Sequence, residues 1–227
     1  GSILLRIMKS HIRIGTFEYA SYFGSINDLK SLSSYTINRL YPQIKNEENP
    51  TISLLNIVMN QQIDLVLNWM RVGFIHGVMN TDNTSISGET FDYGPCAFIN
   101  KYNPEQIYSS IDYNKRYAFG NQGIVIKWNI SRFAESLLPI IHKDKNKSIK
   151  LAQSTIDKFD EIWKKKYYNM MLKKIGIKNN NKSLYPIIDE LLDLMKKKSL
   201  DYTNTFWDLY NDSKESEFNN DLECIEW

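Results

Sequence analysis

A broad apolar stripe over residues 51–72 constrains this chain more than any other feature. Leu54, Leu55, Val58, Met59, Leu65, Val66, Trp69 and Met70 recur there at helical spacing. A stripe that wide predicts a helix buried on most of its circumference, and such a helix needs other elements packed around it. Gly73 ends the pattern, and the run His76-Gly-Val-Met-Asn-Thr-Asp-Asn83 follows almost at once, with Asp92-Tyr-Gly-Pro95 a short gap later. The most buried helix therefore delivers the chain into a loop rich in carboxylate and amide oxygens.

The flanking sequence predicts mostly helices. Residues 27–44 carry Leu29, Leu32, Tyr35, Ile37 and Leu40 at helical spacing before Pro42 breaks the pattern. Residues 124–141 form a helix expected to end near Pro139. Residues 147–175 read as one long amphipathic helix, with Ile149, Ile156, Phe159, Trp163 and Met170 on one face and Gly176 as its stop. Residues 178–183 are expected to be an exposed loop, 184–198 and 202–210 two further helices, and the acidic tail after Asn211 mobile. Strand signals are few. Ile3, Leu5, Ile7, Ile12 and Ile14 alternate within residues 1–24, and a beginning in strand pattern suggests a further segment upstream. Residues 84–92 are expected to form a short hairpin turned by Gly88, with Ile86 and Phe91 inward, so that Asp92 returns beside Asn83. Residues 94–122 are turn-rich and read as an ordered loop. The fold class expected is mainly α with a short β-hairpin.

Composition narrows the function classes. The 227 residues are 42% hydrophobic and 13% aromatic, as in folded globular chains, and the formal net charge is only +2. The lysines at 164–166, 173–174 and 196–198 are interleaved with Asp157, Asp160, Glu161 and Asp189, the pattern of solvated helix faces, so no nucleic-acid partner is expected. No apolar run reaches the roughly 18 residues of a membrane span, and no membrane partner is expected. The two cysteines, Cys96 and Cys224, do not make a disulfide framework; a reducing compartment fits better, and Cys96 reads as a small packing residue. His11 and His142 have no partner at metal-ligand spacing, which argues against zinc.

The loop carries the chemistry. Side-chain oxygens on Asp82, Asn83 and Asp92 suit a hard cation such as Mg²⁺, which shares its oxygen ligands with phosphates. The protein-kinase catalytic loop, H-R-D-L-x-x-x-N followed by D-F-G, has the same spacing as His76 to Asn83 and then Asp92-Tyr-Gly94. One position differs. The kinase base would fall at Val78, which accepts no proton, and the nearest carboxylate is Asp82. His76 is expected to pin the loop backbone; a catalytic imidazole is the lesser reading.

A closer resemblance is carried by His76-Gly-Val-Met-Asn-Thr-Asp-Asn83, Asp92-Tyr-Gly-Pro95, Arg116-Tyr-Ala-Phe-Gly-Asn-Gln122 and Trp128-Asn129. Ser10-His-Ile-Arg13 with Gly15-Thr-Phe-Glu18, and Asp201-Tyr-Thr-Asn-Thr-Phe206, extend it over nearly the whole chain. These strings resemble the SelO family. The resemblance implies a protein-kinase-like C-lobe over residues 1–142 and a helical C-terminal extension over 143–227. It further implies transfer of AMP from ATP to Ser, Thr or Tyr hydroxyls of protein substrates, with Mg²⁺ or Mn²⁺. By the same resemblance Asp82 would be the proton acceptor, Asn83 and Asp92 the metal ligands, and Arg6, Arg13 and Asp92 the nucleotide contacts. The family's N-lobe, with its Gly-rich loop, strand lysine and helix glutamate, and its far C-terminal segment would lie outside these residues. The chain is then a C-lobe-containing part, to be completed by an N-lobe that could be a separate polypeptide. A cytoplasmic location follows for a bacterial source, a mitochondrial one for a eukaryote. The alternatives are a phosphotransferase of the same fold, a degenerate inactive fragment, and a helical nucleic-acid-binding module using the lysine clusters.

Overall fold

The computed structural model describes residues 1, 3, 5–178 and 181–215. Eight α-helices lie along these residues: α1 (Ile14–Phe23), α2 (Ile26–Leu40), α3 (Pro50–Arg71), α4 (Gln122–Ile141), α5 (Lys145–Ile156), α6 (Phe159–Lys174), α7 (Tyr185–Lys198) and α8 (Tyr202–Glu215). A two-stranded antiparallel ladder, β1 (Phe74–Ile75) and β2 (Ala97–Phe98), pairs Phe74 with Phe98 and Ile75 with Ala97. The mainly helical expectation therefore holds, with a short antiparallel pair. No helix among the described residues is long and apolar enough to cross a membrane.

Four expectations change. The hairpin over 84–92 does not form; the ladder instead joins residues that bracket that stretch, 74–75 and 97–98. Ile86 and Phe91 are nevertheless buried and Gly88 does turn the chain, at φ +71°. The inward placing of Ile86 and Phe91 holds, but the hydrogen-bond partners lie beyond any local turn. The strand expected in 1–24 reduces to one isolated bridge, Arg13 with Ser85, and Ile14 opens a helix. Ile3, Leu5 and Ile7 are exposed. The helix expected over 147–175 is two: α5 stops at Ile156, where Asp157 and Lys158 turn back onto Gln153 and Thr155 through their backbone N–H groups. Residues 202–210 extend to Glu215, while the tail from residue 216, Cys224 included, lies outside the described residues.

Local rules account for the remaining boundaries. Ser25 caps α2 reciprocally: Asp28 N–H donates to Ser25 Oγ at 3.2 Å and Ser25 N–H donates to Asp28 Oδ2 at 2.8 Å. Gly176 ends α6 as expected. At φ +83° its N–H reaches Lys173 O, and Ile177 N–H reaches Leu172 O, the paired bonds of a Schellman motif. Pro139 sits inside the last turn of α4, which continues to Ile141.

The chain divides into two compact units. The first comprises the described residues of Gly1–Val66, Val78–Gly94 and Gly123–Asp160. Its core gathers Ile14 and Phe17 of α1, Leu54, Val58 and Ile63 of α3, and Ile130 and Phe133 of α4, all essentially without solvent exposure. Phe17 and Phe133 meet edge to face at 5.0 Å, and each aromatic of this kind contributes about 1.5–3 kcal/mol of burial. The second comprises the described residues of Leu67–Gly77, Pro95–Gln122 and Glu161–Trp227. There Tyr202 OH donates to Met70 O at 2.8 Å and Lys174 Nζ donates to Arg71 O, so two side chains satisfy carbonyls at the C-terminal end of α3.

Candidate functional site

In the first unit, Asp82 and Asn83 stand side by side on a 3-10 turn, Thr81–Asn83. Asn80 builds that turn. Its Oδ1 and its carbonyl both accept from Asn83 N–H, at 2.9 and 3.0 Å, and its carbonyl also accepts from Thr84 Oγ1 at 3.0 Å. Asn83 Nδ2 donates to Val78 O at 2.9 Å. That bond fixes the amide's orientation, so the oxygen a cation would require points away from Val78.

The turn is seated against α1. Ile14 N–H donates to Thr84 O and Ile86 N–H to Ile12 O, both at 2.9 Å, around the Arg13–Ser85 bridge. Asp82 then lies over Gly15 in the first turn of α1. A Cβ on Gly15 would stand 3.1 Å from Asp82 Cγ and overlap Oδ1, so only glycine admits the carboxylate there. Helix α1 has no acidic residue of its own in that turn, and a carboxylate beside a helix N-terminus interacts favourably with its dipole.

Both sequence-expected arginines reach residues 91–93. Arg6 Nη1 pairs with Asp92 Oδ1 at 3.3 Å, and its guanidinium lies 5.9 Å from the Tyr93 ring. Arg13 stacks over Phe91 at 4.7 Å. Asp92 adopts φ +58°, a left-handed conformation that Asp tolerates better than most residues, and Gly94 N–H closes a tight turn onto Asp92 O at 2.9 Å. The structure thus brings Arg6 to Asp92, Arg13 to Phe91, and Asp82 to Gly15. The hairpin that would have placed Asp92 beside Asn83 is absent.

In the second unit His76 is buried. Its ring packs against Trp69 at 5.3 Å and Phe74 at 6.5 Å. The backbone here is held by Gln122, whose Oε1 accepts from His76 N–H at 3.2 Å and whose Nε2 donates to Phe74 O at 3.1 Å. Gly77 follows at φ +85°, with space for no Cβ because Pro95 C lies 3.0 Å from where one would be. Cys96 is half-buried.

Several residues that hold the loop carry no periodic or motif signal of their own. Tyr41 OH donates to Ile86 O and Gln62 Nε2 to Ser85 O, each at 2.6 Å. Burial pushes the Tyr41 hydroxyl up to about 12, which keeps it a neutral donor. A buried polar side chain inside an apolar helix, as at Gln62, is the one trace of this role visible in sequence.

The donor set has a definite chemical character. Among the described residues no three His, Cys, Asp or Glu side chains gather as a metal site. Asn83 and Asp92 each carry a side-chain oxygen, the donor type that hard cations such as Mg²⁺ take.

A mainly helical chain whose oxygen-rich loop is clamped by buried amides and flanked by two arginines defines a candidate phosphate-handling protein. A family model described as protein adenylyltransferase SelO matches residues 1–226, and the chain belongs to that family. It is 50% identical over 216 residues to the protein nucleotidyltransferase YdiU of Bacillus cereus, covering 95% of this chain and 44% of that protein. The Pelagibacter ubique protein of the same name is 50% identical over 211 residues, 93% of this chain and 44% of its own length. The protein of that name from Clostridium botulinum is 49% identical over 209 residues, 92% and 43%. The chain spans under half the length of these curated relatives.

Proposed function

We propose that this chain supplies the acid-and-metal half of a SelO-type protein adenylyltransferase, a kinase-like C-lobe over residues 1–142 with a helical extension over 143–227. The observation that carries this reading is the turn that bears Asp82 and Asn83 and lays the Asp82 carboxylate over Gly15, within the span matched to the family. The substrates are ATP and the Ser, Thr or Tyr hydroxyls of proteins, and the setting is a cytoplasm. The rest of the nucleotide clamp comes from the part of the relatives that this chain does not span, in the same polypeptide or a separate one.

Asp82 accepts the proton of the attacking hydroxyl at its carboxylate. The hydroxyl oxygen forms a bond to the α-phosphorus, the bond from that phosphorus to the α–β bridging oxygen breaks, and pyrophosphate departs with the electron pair. Arg6 and Arg13 are always charged and multidentate, which suits them to the departing phosphates. Mg²⁺ or Mn²⁺, when bound with ATP, neutralises phosphate charge; Asn83 Oδ1 and the Asp92 carboxylate would hold it. Arg6 and the cation then compete for Asp92. The Arg6–Asp92 pair, whose partners are 39% and 55% exposed, holds by only about 0–1 kcal/mol, so Asp92 would be able to hold a cation and Arg6 to turn to phosphate.

The label position in ATP tests the reading. Protein-bound label from α-labelled ATP, and none from γ-labelled ATP, is expected. Label from the γ position alone would make the chain a phosphotransferase. No incorporation, together with no heat on titrating millimolar ATP and Mg²⁺, would make it an inactive fragment.

A further inference from the structure

The geometry points to Asn129 as a positioning residue that sets the pitch of the turn bearing Asp82 and Asn83, an inference that rests on the function proposed above. Asn129 lies on α4 and is wholly buried. Its Nδ2 donates to Met79 O at 2.9 Å and to Thr84 Oγ1 at 2.8 Å. These two acceptors bracket the turn, one just before Asn80 and one just after Asn83. Thr84 Oγ1 passes the restraint on by donating to Asn80 O at 3.0 Å, the carbonyl that Asn83 N–H also engages. One amide from a packed helix therefore ties both ends of the segment whose two middle side chains are the proposed base and metal ligand.

A second observation sets Asn129 apart from an ordinary buried amide. Its Oδ1 has no hydrogen-bond partner in the structure although it is fully buried. An unmet buried acceptor costs about 1–3 kcal/mol, and an apolar residue would avoid that cost. What an apolar residue would lose is the pair of N–H donors on Nδ2, one for each end of the turn. Asn129 touches neither proposed substrate nor metal and acts through Met79 and Thr84.

The test compares Asn129→Asp with the wild-type chain. The substitution keeps size and shape but replaces the donor by oxygen facing Met79 O. Thr84→Val is the second variant. It removes only the hydroxyl relay and leaves α4 intact, so it reports even where Asn129→Asp fails to fold. The first readout is hydrogen-exchange protection of the Asn83 and Thr84 amides, which needs no nucleotide. The second is calorimetric affinity for Mn²⁺–ATP, with Asp92→Ala as the reference for loss of a proposed ligand. Protection of both amides should fall in each folded variant, and Mn²⁺–ATP affinity should weaken ~10–100-fold, the usual effect of removing a group that orients a metal ligand. Unchanged protection in a folded variant overturns the inference whatever the metal does. Lost protection with unchanged Mn²⁺–ATP affinity, where Asp92→Ala abolishes binding, overturns it as well. No Mn²⁺–ATP binding by the wild-type chain, with protection lost in the variants, overturns the metal reading alone and leaves Asn129 as the residue that holds the turn.

Discussion

Replacing Gly15 by alanine should separate stability from chemistry. Gly15 has ordinary helical backbone geometry, since it is not among the positive-φ glycines, so alanine fits its φ and ψ. The new Cβ would lie 3.1 Å from Asp82 Cγ and overlap Oδ1, while Asp82 Cα stands at 3.5 Å and stays put. Carbon pairs prefer about 3.5–4.0 Å, so the carboxyl carbon must retreat by about 0.5–1 Å, and Oδ1 by more. Asp82 is solvent-exposed on its 3-10 turn, so it rotates away at little cost to folding. Alanine in place of glycine stabilises a helix interior by roughly 0.5–1 kcal/mol, and less in a first turn. The melting temperature should therefore hold or rise slightly. A base displaced by about 1 Å loses ~100-fold in rate, read as AMP transfer from α-labelled ATP. Mn²⁺–ATP affinity should stay unchanged, because Asp82 is the proton acceptor and not a metal ligand. Full transfer by a folded Gly15→Ala chain would refute the placement of Asp82 as base.

Three further outcomes are expected. Asp92→Ala should abolish metal-dependent transfer and release Arg6 from its 3.3 Å pairing; activity equal to wild type would remove Asp92 from the site. Gln122→Leu removes the side chain that bonds Phe74 O and His76 N–H, and with each unmet buried group costing about 1–3 kcal/mol the unfolding free energy should fall by about 2–6 kcal/mol in denaturation curves; an unchanged curve would show that water replaces the amide. Lys174 is brought down to about 8 from 10.5, first by burial and then by Arg71, even though Tyr202 and Phe206 rings at 4.3 and 4.2 Å favour its charged form. Between about pH 8 and 10.5 the unfolded chain then holds the extra proton, so stability rises with pH across that window, by at most about 1.4 kcal/mol per pH unit. Lys174→Met should flatten that rise in denaturation curves, and an undiminished slope would place its origin elsewhere.

Periodicity made the helices legible because burying an apolar stripe is a local property of sequence. Helices α2, α3 and α7 lie within a few residues of where their stripes and breakers put them, and the Gly176 stop is the αL conformation that glycine adopts most readily. The break at Asp157-Lys158 was not legible, since neither residue is a Gly or Pro breaker and the apolar pattern runs on through it.

The site divides in the same way. The spacing from His76 through Asn83 to Asp92 marked which oxygens to watch, because side-chain chemistry and order along the chain are written in the residues themselves; Arg6 and Arg13 were singled out by the family resemblance alone. Tertiary structure decided how they are held. Residues 12–14 pair with 84–86, Gly15 opens room for the Asp82 carboxylate, and Asn129 ties both ends of the turn across 45 residues or more of sequence. The ladder likewise pairs residues 74–75 with 97–98, where the sequence suggested a hairpin within 84–92. A backbone group takes whatever partner packing brings within about 3 Å, and no local pattern records that choice.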